Sequence, residues 1–274
     1  MADRLTYLYA IVPATFDGAG APAGVDEARV VLEREGDLGA LVSSVDGNTY
    51  RESEIESRIA DMSWLGPRAM GHDRVVTWAS DARPVVPVPV LSLFRDAASV
   101  RAMLAEQRGQ LRSTLDRVAT GREYIVRIFR LDSLLAESVS KLSESVAALE
   151  RDIASASPGQ RYLLARKLET ERKQELKRIG HRVAVEAYDS LAGAAMEAVR
   201  NPLPRGDRGG PGIESATGAA VLDAAFLVRR DASEGFQRVV TALVRQWEQH
   251  GFRFEFTGPW PPYHFVREAS DVGT

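Results

Sequence analysis

Four histidines, His72, His181, His250 and His264, are the side chains of this 274-residue sequence best suited to shuttle a proton or ligate a metal. No two of them stand at the i,i+4 interval that would aim both rings from one helix face at a metal. The absence of cysteine removes disulfides, thiolate metal sites and cysteine nucleophiles together. His72 opens His72-Asp73-Arg74-Val75-Val76 on a helix, where an imidazole beside a carboxylate could act as a general base. With no motif around it, the expected reading is a surface histidine next to an acidic neighbour. His250 stands at the end of the last helix, where a cation complements the helix dipole. The stretch Gly206 to Gly212 is rich in glycine, yet no Gly-x-x-x-x-Gly-Lys or Gly-x-Gly-x-x-Gly pattern leads into a helix to cradle a phosphate. Arg205-Gly206-Asp207 matches an adhesion tripeptide and reads as a turn by chance. No Gly-x-Ser-x-Gly elbow occurs, and the carboxylates lie in charge-alternating, solvated helical faces. The expectation is a non-enzyme with no catalytic, cofactor-binding or metal-ligating residues, and no cofactor.

What the chain does carry is a stiff aromatic end. Thr257-Gly258-Pro259-Trp260-Pro261-Pro262-Tyr263-His264-Phe265-Val266 holds three prolines, which fix the backbone and remove donors, so Gly258 to Pro262 is not expected to continue a sheet ladder. Trp260, Tyr263 and Phe265 sit on this segment and are the candidate protein-binding residues. Large rings on a rigid support lose little entropy on binding and supply much apolar area. The competing role is a lock that packs the chain end onto its own core, and for Trp260 and Tyr263 that role is the favoured one.

The elements ahead of the tail are legible from their periods. Val221 to Arg229 is strand-like, and Phe236, Val240, Leu243 and Trp247 recur at intervals of four and three, one face of a helix. Asp231 with Glu234 matches a capping box, and Gly251 supplies a left-handed stop. Phe252, Phe254 and Phe256 then alternate with polar residues as a half-buried strand does. Upstream, Leu5 to Val12 is apolar on both faces and so central to a sheet. Ala28 to Glu33, a turn at Gly36-Asp37 and Leu38 to Val45 make a hairpin. A helical stripe from Ile55 to Ala79 should kink at Gly66-Pro67. Pro84 to Leu93 is an edge strand, Val100 to Val118 a helix, and Tyr124 to Phe129 a last strand. Leu135, Val139, Leu142, Val146, Leu149 and Ile153 form a heptad seam. After Ser157-Pro158-Gly159 a second long helix is expected from about Gln160 to Val199, so the pair should pack as an antiparallel hairpin. Its centre, Arg166 to Lys177, is polar and solvated, and Asn201 to Thr217 reads as a mobile loop or irregular hairpin arm.

The fold class is therefore α+β in two domains. Residues 1–131 form a modified ferredoxin-like amino-terminal domain, and residues 132–274 a second α+β domain carrying the helical hairpin. A hydrophobic fraction of 45% and a charged fraction of 27% are those of a soluble globular protein. A net charge of -3 argues against a general nucleic-acid binder. No run approaches the ~20 apolar residues of a membrane span. Met1-Ala2-Asp3-Arg4 leads straight into a strand pattern, so a cytoplasmic protein is expected.

Thr257 to Tyr263 followed by His264-Phe265-Val266 resembles the terminal signature of the gas vesicle protein F/L family. Leu8-Tyr9-Ala10-Ile11-Val12 resembles the family's opening strand, Gly36 to Ser43 its second hairpin, and Val221 to Val228 running into Phe236 the approach to its last helix. The resemblance covers nearly the whole chain. One departure stands out: where the family tends to carry a Pro-Val-Arg-Phe-Gly-Thr-like strand, this chain has Pro87-Val88-Pro89-Val90-Leu91-Ser92, with Pro89 in the place of the arginine. The resemblance implies an accessory protein located at the gas vesicle, whose partners are the small, very hydrophobic shell protein and other gas vesicle accessory proteins during early assembly. The alternative class is a small-molecule-binding regulatory module of ferredoxin-like type.

Overall fold

In the computed structural model, residues 4–203 and 218–266 are described. The described part of the chain is α+β with two separate sheets. Contacts divide it into two units: Met1–Glu123 together with Pro259–Thr274, and Tyr124–Gly258, each taken over its described residues.

In the first unit, β1 (Arg4–Pro13) is buried from Thr6 to Val12 because its two faces are both apolar, and it lies inside the sheet as that pattern predicts. It runs antiparallel to β3 (Leu38–Asp46), with Leu5 opposite Val45 and Ile11 opposite Ala40. The outer strand β2 (Val30–Glu35) completes the expected hairpin through Gly36, whose φ of 60° suits a residue without a side chain. On the other side β1 meets only two short segments, β4 (Val86–Pro87) and β5 (Leu93–Phe94). Pro84, Pro87 and Pro89 lack the N–H a long ladder needs, so this edge stays short. Helices α1 (Glu52–Arg58) and α2 (Met62–Ala82) follow β3, and α3 (Ala97–Glu106) and α4 (Arg108–Val118) follow β5.

Two helical expectations for this unit need correction. The break falls at Ile59 to Asp61 and not at Gly66-Pro67, since α2 runs through both residues. Asp61 accepts the Ser63 N–H at 2.8 Å and so starts a new helix. Pro67, only in the second turn, costs one bond to the Ser63 carbonyl. The run from Val100 to Val118 is two helices that meet at Gln107.

The second sheet has the order β7-β8-β6-β9, from β6 (Gly121–Arg130), β7 (Glu197–Arg200), β8 (Ala219–Arg229) and β9 (Phe252–Trp260). The last strand thus runs through Gly258 and Pro259, which were expected to stop it, and ends before Pro261-Pro262. The strand Tyr124 to Phe129, expected to close the first half, thus belongs to this sheet. Tyr124, Val126 and Ile128 bury into the same core as Phe226, Phe236 and Phe252. The heptad seam spans two helices, α5 (Asp132–Leu142) and α6 (Glu144–Ser155), because Ser143 leaves the helical conformation between them and caps the second. Leu135, Val139, Val146 and Leu149 are buried, while Leu142 is only half-buried at the break. Helix α7 (Pro158–Ala192) returns against α6 as an antiparallel hairpin, with Pro158 at its first turn where no donor is lost. It ends at Ala192, short of the expected Val199, and Glu197 to Arg200 pair with β8 instead, Val199 facing Ala225. Helix α8 (Ser233–Trp247) buries Phe236, Val240, Leu243 and Trp247, the face its spacing predicts. The Asp231–Glu234 capping box does not form: Asp231 pairs with Arg229 at 3.0 Å. Gly251, with φ of 86°, ends this segment as expected. Of Asn201 to Thr217, only Asn201 to Leu203 are described; the glycine-rich stretch and the Arg205-Gly206-Asp207 tripeptide lie outside the described residues.

Candidate functional site

The aromatic tail is tied back by its own residues. Where the sequence reading counts everything after residue 131 with the second half, contacts count the chain from Pro259 onward with the first unit. Pro261 and Pro262 are buried, and a single 3-10 turn over Tyr263–Phe265 follows, closed by the Phe265 N–H on the Pro262 carbonyl at 3.1 Å. Glu123, only 1% exposed, meets this turn twice. One of its oxygens accepts the His264 N–H at 2.8 Å, and the other lies 2.6 Å from His264 Nδ1. A carboxylate at that distance requires the proton on Nδ1, so the imidazole donates. Arg117 adds a guanidinium N–H to the Phe265 carbonyl at 2.6 Å.

These ties set the exposure of the three candidate residues. Phe265 is enclosed, Tyr263 is half-buried against the core of β1, and Trp260 is 40% exposed. Burial, with the Asp73 and Glu123 charges nearby, pushes the Tyr263 hydroxyl far above the ordinary phenol range, so it stays neutral. Of the two rings favoured from sequence for the lock, Tyr263 packs in part against that core, while Trp260 keeps a large face open; Phe265, read from sequence as a binding candidate, is the one enclosed. Sequence reasoning missed Glu123 and Arg117, which lie far upstream and carry no local motif.

The one other concentration of chemistry is interior. His72, read from sequence as a surface residue, is fully buried in α2. Its Nε2 lies 3.1 Å from the Val88 carbonyl, which can only accept, so Nε2 carries the proton and Nδ1 receives the Tyr7 hydroxyl at 3.1 Å. The Tyr7 oxygen in turn accepts the Leu91 N–H at 2.9 Å. Tyr9 donates to Ser43 Oγ at 3.0 Å and accepts the Val25 N–H, and the Ser43 hydroxyl donates to the Arg29 carbonyl. Desolvation lowers the His72 pKa to about 4 and raises those of Tyr7 and Tyr9. Every proton in this chain of bonds has a structural destination, and none is aimed at an opening.

His181 is exposed on α7, and His250 is half-buried after α8 with Nδ1 unpartnered. No group of three or more histidine, aspartate and glutamate side chains among the described residues is placed to hold a metal. Beside the first sheet lies a hollow of about 530 Å³ lined by Arg4, Asp26, Ala28, Arg29, Val31 and Val45, among others. It opens where β2 stops at Val30, opposite Ser43, while β3 runs on to Asp46. No helix among the described residues is long and apolar enough to cross a membrane.

An α+β chain with two separate sheets and a proline-rich aromatic tail tied back to its first unit defines a class of protein already known in crystals. Two solved structures share the fold: the gas vesicle protein GvpF from Anabaena, with a TM-score of 0.66 at 18% identity over 99% of this chain and 98% of that one, and GvpF from Microcystis aeruginosa, also at 0.66, with 16% identity over 96% and 98%. Residues 5–267 match the family described as gas vesicle synthesis protein GvpL/GvpF, and the chain belongs to that family. It is similar to gas vesicle protein L of a Streptomyces species, 28% identical across 98% of this chain and 95% of the relative. Gas vesicle protein L1 of Halobacterium salinarum is 27% identical, covering 97% and 91%. Gas vesicle protein F of the Streptomyces species is 26% identical, covering 95% and 99%.

Proposed function

We propose that this protein is a gas vesicle accessory protein that binds the hydrophobic shell protein, or fellow accessory proteins, while the vesicle nucleates and grows. It acts by binding and not by catalysis, in the cytoplasm and at the vesicle. Membership of a family of gas vesicle synthesis proteins supports the setting. The observation that carries the binding reading is Trp260, 40% exposed on a stiff segment whose next residues are tied down by Glu123 and Arg117. A ring held out in this way meets a partner without first being ordered.

The physical need is plain. A shell subunit whose finished face repels water must not aggregate before it joins the wall. A partner that covers about 800 Å² of it lowers the concentration of free, sticky subunit. Co-expression of the two chains followed by affinity capture tests the idea. The expected result is shell protein recovered soluble with this chain; shell protein left wholly in the pellet overturns it.

The hollow beside Arg4 and Arg29 favours a second reading, a small-molecule-binding regulatory module. A stoichiometric metabolite released on denaturing the purified protein would select it.

A further inference from the structure

Helix α7 changes character along its length. Its buried residues, Ile179, Gly180, Val183, Ala184, Ala187 and Leu191, all lie in the second half. Pro158 to Arg178, about 30 Å of helix, has none. In this arm, of the half-buried positions Leu164, Leu168, Glu171, Glu175 and Leu176, the first four recur at intervals of four and three, the seam that faces α6. Ser145 of α6 donates to Glu171 at 2.8 Å, and Glu150 of α6 pairs with Arg172 at 2.5 Å.

At roughly 100° per residue, the side turned away from that seam carries Tyr162, Arg166, Lys173 and Lys177, with Leu163 on its flank and Lys167 further round the same flank towards the seam. Glu169 shares this outward side and pairs there with Lys173, so the side is net basic through Arg166 and Lys177. The arm holds seven basic and three acidic residues in a chain whose net charge is -3. Glu169, Glu171 and Glu175 are all ion-paired, to Lys173 and Arg178. Arg166, Lys167 and Lys177 form no ion pair within 4.0 Å among the described residues, although after Lys173 the Arg166 charge helps hold the Glu169 carboxyl below its usual range. At the tip of the same face Tyr162 and Leu163 are 65% and 68% exposed.

We propose that this outward face of the α7 arm is a docking surface for an acidic amphipathic helix of a partner protein. Arg166, Lys173 and Lys177 stand seven and four residues apart, a rise of about 10 and 6 Å, so carboxylates at those two intervals on a second helix match the spacing of the cations. Tyr162 and Leu163 supply the apolar anchor that charge alone lacks. A membrane would ask for a continuous apolar face, and this one has two apolar residues at one end. Nucleic acid would ask for a basic surface over the whole module, against the acidic balance of the chain. The proposal is independent of the role assigned to Trp260.

The test uses the full chain and a labelled, designed helical peptide with a leucine seam flanked by glutamates, read by fluorescence anisotropy. A matched peptide flanked by lysines is the control. The expected result is binding of the acidic peptide only, weakening with salt and falling at least about tenfold when Arg166, Lys167 and Lys177 are all changed to Glu. The triple change to Gln gives a smaller loss, Tyr162→Ala with Leu163→Ala weakens binding, and Arg245→Glu on α8 leaves it unchanged. Equal binding of both peptides, or indifference to the triple Glu variant, overturns the proposal. So does equally tight, equally variant-sensitive binding of phosphatidylserine-rich vesicles or single-stranded DNA, which would make the stripe a general anion surface.

Discussion

Around β1 of the first unit, Tyr7, Tyr9 and Tyr50 bury their rings beside His72, and each polar atom of those rings has a partner. Around β8 of the second unit, Phe226 and Phe236 pack with Phe256 and Tyr124 through ring contacts alone, with Tyr124 and Phe256 stacked at 5.4 Å. The second core is held by area and shape, which tolerate exchange of one apolar ring for another. The first is held by directed bonds, which admit one arrangement and leave costly orphans when a single atom is removed. The first core is also the one on which Tyr263 rests, so the unit that carries the tail is the more rigidly specified.

Substitutions that break this comparison fall in a definite order. Phe236→Ala removes a fully buried ring from the apolar core and should cost about 3–5 kcal/mol in denaturant unfolding, at any pH near neutral. The polar core responds to pH. The His72 pKa is lowered to about 4 from an ordinary 6.5, chiefly by burial, with the Val88 carbonyl bond acting the other way. The unfolded imidazole therefore takes up its proton at a higher pH than the folded one. Stability from this group is complete above pH 6.5 and declines as the pH falls towards 4, by up to roughly 3 kcal/mol. Comparing unfolding profiles of the wild type and His72→Gln isolates that slope, which should vanish in the variant. Tyr7→Phe keeps the ring and deletes one oxygen, leaving His72 Nδ1 without a donor and the Leu91 N–H without an acceptor. It should cost about 1–3 kcal/mol, more than Tyr188→Phe beside the apolar core, which frees only the half-buried Ala198 carbonyl from a bond of 3.2 Å.

Much of this architecture was legible because it rests on local periodicity. The α8 face, the β2–β3 hairpin and the central place of β1 follow from apolar spacing and from Gly36 and Gly251. What was not legible depends on partners distant in sequence. The fate of Tyr124 to Phe129 turns on whether its apolar face meets β1 or β8, and both are apolar. The end of α7 is decided by pairing of Val199 with Ala225, which overrides a helix-compatible stretch. His72 looked exposed because Asp73 and Arg74 follow it, yet its own face of α2 is buried. Of the candidate site, the tail itself was visible as a proline-stiffened aromatic segment, but the ties that decide which ring stays outside come from Glu123 and Arg117. The capping box at Asp231 failed for a local reason, since Arg229 holds that carboxylate.

The smallest expected effect on stability bears most directly on function. In Trp260→Ala, melting should shift by an amount equivalent to less than ~0.5 kcal/mol, because the ring is 40% exposed and the tail is anchored beyond it by His264 and Phe265. The measurement is affinity capture of shell protein by this variant, made alongside its melting curve. The account predicts an unchanged melting temperature with shell-protein capture lost; capture at the wild-type level, or a melting temperature that falls together with capture, would contradict it.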